Sequence, residues 1–184
     1  FVAAFFAGCA GMAAKPTESN FQAPVVTLDN MEVAHAFGYW YFSKKVAPTK
    51  GSPDNVGAPL DLAFTFNVEN PNPYPVQMES LKFSVLFEEF ELNTVSTHAT
   101  QWIPPGMTNQ VLVHAHFDVR QSLLSLLVTG GFKLKEKGTN AWAALEKWWT
   151  GIPNYEIPVT VSGGAAVFKA DSLVKVSTFE ATFP

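Results

Sequence analysis

The fold is decided by residues 62–75, which read LAFTFNVENPNPYP. Up to Val68 the large apolar side chains fall on alternate positions, the period of two that buries one face of a β-strand and leaves the other in water. The three prolines and two asparagines that follow cannot continue a strand, because proline lacks the N–H that a ladder needs and asparagine favours turns. The stretch therefore predicts a strand that ends in a reversal of the chain.

The same alternation recurs further along the chain, in Leu81–Phe90 and Gln110–Asp118, with the proline-containing stretch Trp102–Met107 between them. The 184 residues are 47% hydrophobic and 15% charged, which suits one domain with one core. Thirteen prolines and 12 glycines supply turns. We predict a mainly β chain, a single antiparallel β-sandwich of about seven strands.

These strands and turns resemble the water-stress and hypersensitive-response (WHy) domain of type 2 late-embryogenesis-abundant proteins and of LEA14-like bacterial lipoproteins. The resemblance covers roughly Val25–Pro184 and is carried by Leu62–Glu69 with Asn70-Pro71-Asn72, Leu81–Phe90, Ile103-Pro104-Pro105-Gly106, Gln110–Asp118, Ser122–Leu127 and Tyr155–Gly163. It implies a fibronectin-like sandwich, a role in the cell envelope or in stress protection, and no catalytic residues. Phe132–Thr150 departs from the family pattern, because it is longer and richer in tryptophan.

The first 14 residues form a separate segment, predicted to be a lipoprotein signal or a membrane anchor. Phe1–Gly8 is apolar, and Ala7-Gly8-Cys9 resembles a lipobox, in which small residues precede a cysteine that receives a lipid. The alternative is an uncleaved anchor that residues upstream of Phe1 would complete to the length of about 20 apolar residues that a spanning helix needs. Either hypothesis tethers the chain to a membrane, and Lys15–Ala23 is then expected to be a polar linker to a domain over residues 24–184.

A helical insertion of one or two short helices is predicted before the last strands. Asp118 and Gln121 have the spacing of a capping box, so a helix is expected to begin there and to end at Gly130-Gly131. Its leucine stripe is expected to pack on the sandwich, with Ser122 and Ser125 on the opposite side; the stripe comprises Leu123, Leu124, Leu126 and Leu127.

A second helix is predicted over Asn140–Thr150, and its apolar arc includes Trp142, Leu145, Trp148 and Trp149. Such an arc has three interpretations, which are packing in the core, docking of a partner and contact with a bilayer surface. Packing is the default for an apolar helix face. Tryptophan is nevertheless enriched at interface hot spots and at headgroup level, so the four residues are candidates for partner or lipid contact.

Sites for chemistry are sparse in this sequence. His114 and His116 alternate on one strand, so both rings project from one face and are weak candidates for metal ligands, although two ligands do not make a site. The acidic residues Glu88, Glu89 and Glu91 suggest the rim of a hairpin. No Walker, zincin or nucleophile-elbow motif occurs. We predict no enzyme activity, no cofactor apart from lipid on Cys9, and no resident metal.

The expected function is binding. The formal net charge of −4 and the pI near 5.5 argue against a nucleic-acid partner. The first hypothesis is a stress-protective or client-binding lipoprotein of the bacterial envelope that faces the periplasm, with the outer membrane favoured. The alternative is a structural or accessory subunit of a multiprotein membrane complex, which docks through the tryptophan-rich helix.

Overall fold

Eight strands form two antiparallel sheets in residues 14–39 and 57–184, the part of the chain that this computed structural model describes. The strands are β1 (Val25–Ala36), β2 (Pro59–Glu69), β3 (Val76–Phe87), β4 (Phe90–Thr97), β5 (Gln101–Ile103), β6 (Thr108–Asp118), β7 (Val159–Ala170) and β8 (Leu173–Phe183). One sheet has the order β1-β2-β6, and the other has the order β4-β3-β7-β8 with β5 also paired to β3. The predicted mainly β sandwich is confirmed. The predicted anchor, including Cys9, lies outside the described residues except for Ala14.

The strand predicted over Leu81–Phe90 is in fact two strands. Glu88 has a φ of 56° and, with Glu89, makes the tight turn between β3 and β4, so Phe90 opens the next strand. The closing strand predicted over Tyr155–Gly163 begins later, at Val159, because Tyr155 also has a positive φ of 59° and belongs to a turn. Both strand bounds were predicted wrongly at a non-glycine residue with a left-handed backbone conformation, which such residues rarely adopt.

The core between the sheets is built largely from phenylalanine. Phe66 of β2 lies edge-on to Phe83 of β3, with ring centroids 5.1 Å apart, and to Phe179 of β8 at 5.2 Å. Phe64 meets Phe83 in the same way at 5.3 Å. Such edge-to-face contacts are favourable beyond the burial of area alone. The apolar side chains whose alternation predicts β2 therefore pack between the two sheets.

The Asn-Pro turn after β2 is held by a buried amide. The Nδ2 of Asn70 donates hydrogen bonds to the carbonyl oxygens of Tyr74, Ile103 and Pro104 at 2.9–3.1 Å. Its Oδ1 accepts from the backbone N of Asn72 at 3.0 Å. Asparagine suits this place because one side chain supplies both donors and an acceptor. The two proline-containing turns predicted from the sequence are therefore joined at one end of the sandwich.

The segment expected to be a linker, Lys15–Ala23, is anchored on the domain near its end, whereas Lys15 and residues 17–20 are exposed. Phe21 is buried, and Asn72 binds both the backbone N and the backbone O of Gln22 at 2.8 Å. The hydroxyl of Tyr74 donates to Oδ1 of Asn20 at 2.8 Å. A composition rich in turn residues thus does not exclude a single buried aromatic anchor at Phe21. The linker interpretation of the exposed part of the segment stays a prediction.

The helical insertion lies between β6 and β7, as predicted. It consists of α1 (Val119–Ser125), a π-helical turn (Leu126–Gly130), α2 (Gly131–Glu136) and α3 (Ala141–Gly151), which is followed by a 3-10 turn (Ile152–Asn154). Within residues 14–39 and 57–184, none of these helices has the length and apolar character needed to span a membrane.

Candidate functional site: an exposed surface on the helical insertion

The first helix begins where the sequence predicts it. Asp118 is its N-cap, and Oδ1 of Asp118 accepts from the backbone N of Arg120 at 2.9 Å. The chain enters the helix directly from β6, so Phe117 and Val119 are both buried at the junction. Both residues belong to the core, so the first turn of the helix is packed against the sandwich.

The predicted leucine stripe is consequently wrong in part. The buried side of the run repeats every three or four residues and comprises Val119, Ser122, Leu126, Gly130 and Leu134. Leu123 is partly buried against the core, whereas Leu124 and Leu127 are exposed. Ser122, predicted to face solvent, is buried. The apolar periodicity was compatible with either rotation, and packing of Val119, Leu126 and Leu134 in the core selected the one that buries Ser122.

The two glycines predicted to end this helix do not end it. The run continues through the π-helical turn into α2, which ends at Glu136, and Gly138 in the turn that follows has a φ of +66°. Gly130 has a packing role instead, since a Cβ added there would lie 3.3 Å from Cδ1 of Phe90 and 3.1 Å from Cδ2 of Leu126. The glycine lets the helical run approach the start of β4.

The outward side of the run carries the apolar patch, defined as Leu124, Leu127, Val128 and Phe132. These four side chains are between 61% and 88% exposed. Leu124, Val128 and Phe132 follow one another at intervals of four residues, and Leu124 and Val128 also line an open groove of ≈ 730 Å³ against β4. Isolated exposed apolar residues are normal, but a contiguous group marks a contact surface.

The patch has a basic rim. Arg120, Lys133 and Lys135 are exposed on the same helical run. Residues 119–137 contain four of the 12 basic residues of the chain and one of its 16 acidic residues, although the whole chain is negatively charged. The local charge is therefore opposite in sign to that of the protein as a whole.

The tryptophan-rich helix contributes mainly to the core. Leu145, Trp148 and Trp149 are almost fully buried, and Nε1 of Trp149 donates to the carbonyl oxygen of Ala58 at 2.6 Å. Their burial supports the packing interpretation and leaves these three side chains no surface with which to dock a partner or lipid. Trp142 alone among the four candidates is half exposed.

Glu88 ties this helix to the turn between β3 and β4. Its carboxylate forms an ion pair with Lys147 and accepts from Nε1 of Trp148 at 3.0 Å. Partial burial raises the pKa of Glu88, but the hydrogen bonds from Lys147 and Trp148 and the charges of Lys147 and Lys137 outweigh that effect and lower it. The carboxyl is therefore held in its charged form. At Glu88, the acidic hairpin rim predicted from the sequence holds α3 against the turn between β3 and β4.

The two candidate metal ligands share a carboxylate that the sequence did not reveal. Nδ1 of His114 lies 3.1 Å from Oδ2 of Asp61, and Nδ1 of His116 lies 3.3 Å from Oδ1 of Asp61. The two imidazole rings are nearly parallel, with centroids 6.0 Å apart. Asp61 reaches them because β2 and β6 pair with Asp61 opposite His116, a register that no local pattern encodes.

This cluster stands on an exposed sheet face. Within the described ranges, no group of three or more His, Cys, Asp or Glu side chains is arranged to hold a metal ion. Nδ1 of His114 is hydrogen-bonded to the Asp61 carboxylate, and His116 lies within ion-pairing distance of the same group.

Comparisons with known proteins do not assign the chain to a family. No family model matches it, and no curated protein matches it. One solved structure, described as a protein from Archaeoglobus fulgidus, is 12% identical, with coverage of 85% of this chain and 94% of the other and a TM-score of 0.43. An X-ray structure of a Northeast Structural Genomics Consortium target is 9% identical, with coverage of 88% and 83% and a TM-score of 0.41.

Proposed function

We propose that this protein is a non-enzymatic, membrane-tethered binding or stress-protection protein of the bacterial cell envelope, similar to WHy-domain lipoproteins. In this proposal Cys9 carries the lipid, the domain faces the periplasm, and the outer membrane is the favoured location. The observation that supports it best is the placement of Ala14 and the apolar patch at opposite ends of the sandwich.

That placement follows from the strand register. Pro59 pairs with Asp118 at one end of β2, and Glu69 pairs with Thr108 at the other. The helical run with the patch begins directly after Asp118, whereas Phe21 and Gln22 are bound near Asn72, just beyond Glu69. Eleven residues of strand separate the two ends, which is about 36 Å at roughly 3.3 Å per residue. A tether that leaves from Ala14 would thus hold the patch away from its attachment point.

The chemistry of the patch defines what it would bind. Its four side chains offer aliphatic and aromatic area, and complete burial of each is worth about 1.5–3 kcal/mol. The rim formed by Arg120, Lys133 and Lys135 favours a protein surface whose own apolar area is bordered by acidic residues. An unfolding client or a fixed partner could present such a surface.

Two variants test the tether and the binding surface. Cys9→Ala should release the chain from the membranes of cells that express it, and retention of the variant in the membrane would contradict the lipid anchor. The double variant Val128→Asp/Phe132→Asp should lose the ability to keep a heat-denatured test enzyme from aggregating. A matched control is Leu112→Asp/Val176→Asp, which changes two exposed apolar residues on the sheets. Equal protection by all three proteins, or protection by none, would contradict client binding at the patch.

The alternative function is that of an accessory subunit in a membrane complex, and the exposed patch also favours it. The docking surface would then be the patch together with Trp142, rather than the buried part of α3. Extraction in mild detergent, followed by sizing and mass spectrometry of the peak, separates the two functions. A large peak with fixed companions that is lost in Val128→Asp/Phe132→Asp would identify a subunit. A peak of one 20.1 kDa chain with detergent would identify a free lipoprotein.

A further inference from the structure

The end of the sandwich at which Ala14 lies carries a second exposed surface. A groove of ≈ 520 Å³ is lined there by residues that include Ala14, Lys15, Trp102 and Lys169. Trp102 is 57% exposed, although tryptophan is costly to leave in water, and Met107 in the neighbouring turn is exposed as well. The groove thus joins the start of the described chain to an exposed indole.

At this end of the sandwich the described chain is attached to the domain close to its first residue. Backbone N of Phe21 donates to the carbonyl oxygen of Thr17 at 2.9 Å, and Phe21 itself is buried. Four residues lie between Cys9 and Ala14, and the five Cα–Cα steps that join the two span at most about 18 Å when fully extended. A lipid on Cys9 would therefore hold Ala14, which lines the same groove as Trp102, within that distance of the anchored cysteine.

The side chains at this end suit the headgroup region of a membrane. Tryptophan is enriched at membrane–water interfaces, and lysine can extend its ammonium to lipid phosphates while its methylenes stay in apolar surroundings. Lys15 and Lys169 line the groove, but so does Asp171, and Nζ of Lys169 lies 4.0 Å from Oε1 of Glu79. The charge at this end is thus nearly balanced, so the indole rather than net charge would supply most of the contact.

We propose that this end of the sandwich rests in the headgroup region of the membrane that holds the N-terminus, with Trp102 and Met107 as the contacting side chains. The inference rests on the proposed tether and adds an orientation to it. Trp102 is the membrane-proximal residue, and the apolar patch is distal.

Quenching of tryptophan fluorescence tests the orientation. The lipidated full chain is reconstituted into vesicles of phosphatidylcholine and phosphatidylglycerol, with and without lipids brominated near the headgroup end of their acyl chains. We expect brominated lipid to quench the wild type, Trp102→Phe to abolish that quenching, and Trp142→Phe to retain it. Trp102 and Trp142 are both exposed, so each of the two variants loses one exposed indole and Trp142→Phe is a matched control.

The other outcomes overturn the proposal in distinguishable ways. Vesicles that carry the chain on flotation without any quenching would show that the tether holds while this end stands off the bilayer. Quenching that is lost in Trp142→Phe and retained in Trp102→Phe would show that the helical end faces the membrane. A lipidated chain that does not float with the vesicles would overturn the tether and the orientation together.

Discussion

Nε1 of Trp148 lies 3.0 Å from Oε2 of Glu88 and donates a hydrogen bond to it, so α3 is joined to the turn between β3 and β4. The same indole packs against Phe87 and Phe90, the residues on either side of that turn, with ring centroids 5.8 Å and 5.4 Å away. Lys147 completes the junction through its ion pair with Glu88. The helical insertion is therefore part of the sandwich core rather than an appendage to it.

The charge of Glu88 should make stability depend on pH. Because its pKa is lowered in the folded protein, the stabilisation is present above the ordinary pKa of 4.5 and is lost as the pH falls through the lowered value. We expect Glu88→Gln to reduce the free energy of unfolding by about 1 kcal/mol at neutral pH, as for a partly exposed charged hydrogen bond. Urea unfolding from pH 7 to pH 3 measures the difference, which should shrink below pH 4.5. A difference that stays constant with pH would contradict the assigned role of the charge.

The two classes of tryptophan in α3 should respond differently to truncation. Trp148→Ala should lower the free energy of unfolding by about 3–5 kcal/mol, because it leaves a cavity among the aromatic rings. Trp142→Ala should cost less than about 1 kcal/mol, since that side chain is half exposed and the Tyr39 hydroxyl binds the backbone oxygen of Trp142. Equilibrium denaturation of both variants gives the comparison, and similar losses would refute the assignment of Trp148 to the core.

Substitution of Asn70 should lower the stability of the fold, although the residue is polar. Asn70→Ala would remove one donor from the carbonyl oxygens of Tyr74, Ile103 and Pro104, and we expect a loss of at least about 1–3 kcal/mol in the free energy of unfolding. Asn70→Asp should be worse, because a carboxylate would face those carbonyls without a proton to donate. Asn67→Ala is the control, as the Asn67 amide binds only the exposed side chain of Asp29 among the contacts described, and thermal unfolding should place it near the wild type.

Phe21 tests whether the domain begins before residue 24. Phe21→Ala should lower the free energy of unfolding by about 3–5 kcal/mol, because Phe21 is buried and its truncation leaves a cavity. Gln22→Ala should be nearly neutral, because Gln22 is exposed and contributes its backbone groups to Asn72. Chemical denaturation measures both variants. A neutral Phe21→Ala would favour the interpretation of this stretch as a linker.

Much of the fold could be predicted from local patterns. The alternation in Leu62–Val68 and the prolines that follow define β2 and its turn without reference to other residues, since burial on one face and the loss of an N–H donor act locally. The cap at Asp118 was predictable for the same reason. The left-handed residues Glu88 and Tyr155 were not, because neither residue type favours a positive φ.

The candidate site was much less accessible to sequence analysis. Apolar periodicity located the helices but did not indicate which leucines face the core. It also did not distinguish a buried tryptophan of α3, such as Trp148, from a half-exposed one, such as Trp142. Exposure depends on the rotation of a helix against a sheet, and that rotation is set by packing.

A β-sandwich with a helical insertion follows from the amino-acid sequence alone, because strand alternation, proline turns and helix caps are properties of neighbouring residues. The anchoring of Phe21, the contact of Asp61 with His114 and His116, and the outward position of the apolar patch are visible only in the folded chain. Each of these depends on which strand pairs with which, in what register, and on how a helix is rotated against the sheets. Contacts between residues far apart in the chain fix those features, and a local pattern contains no record of them.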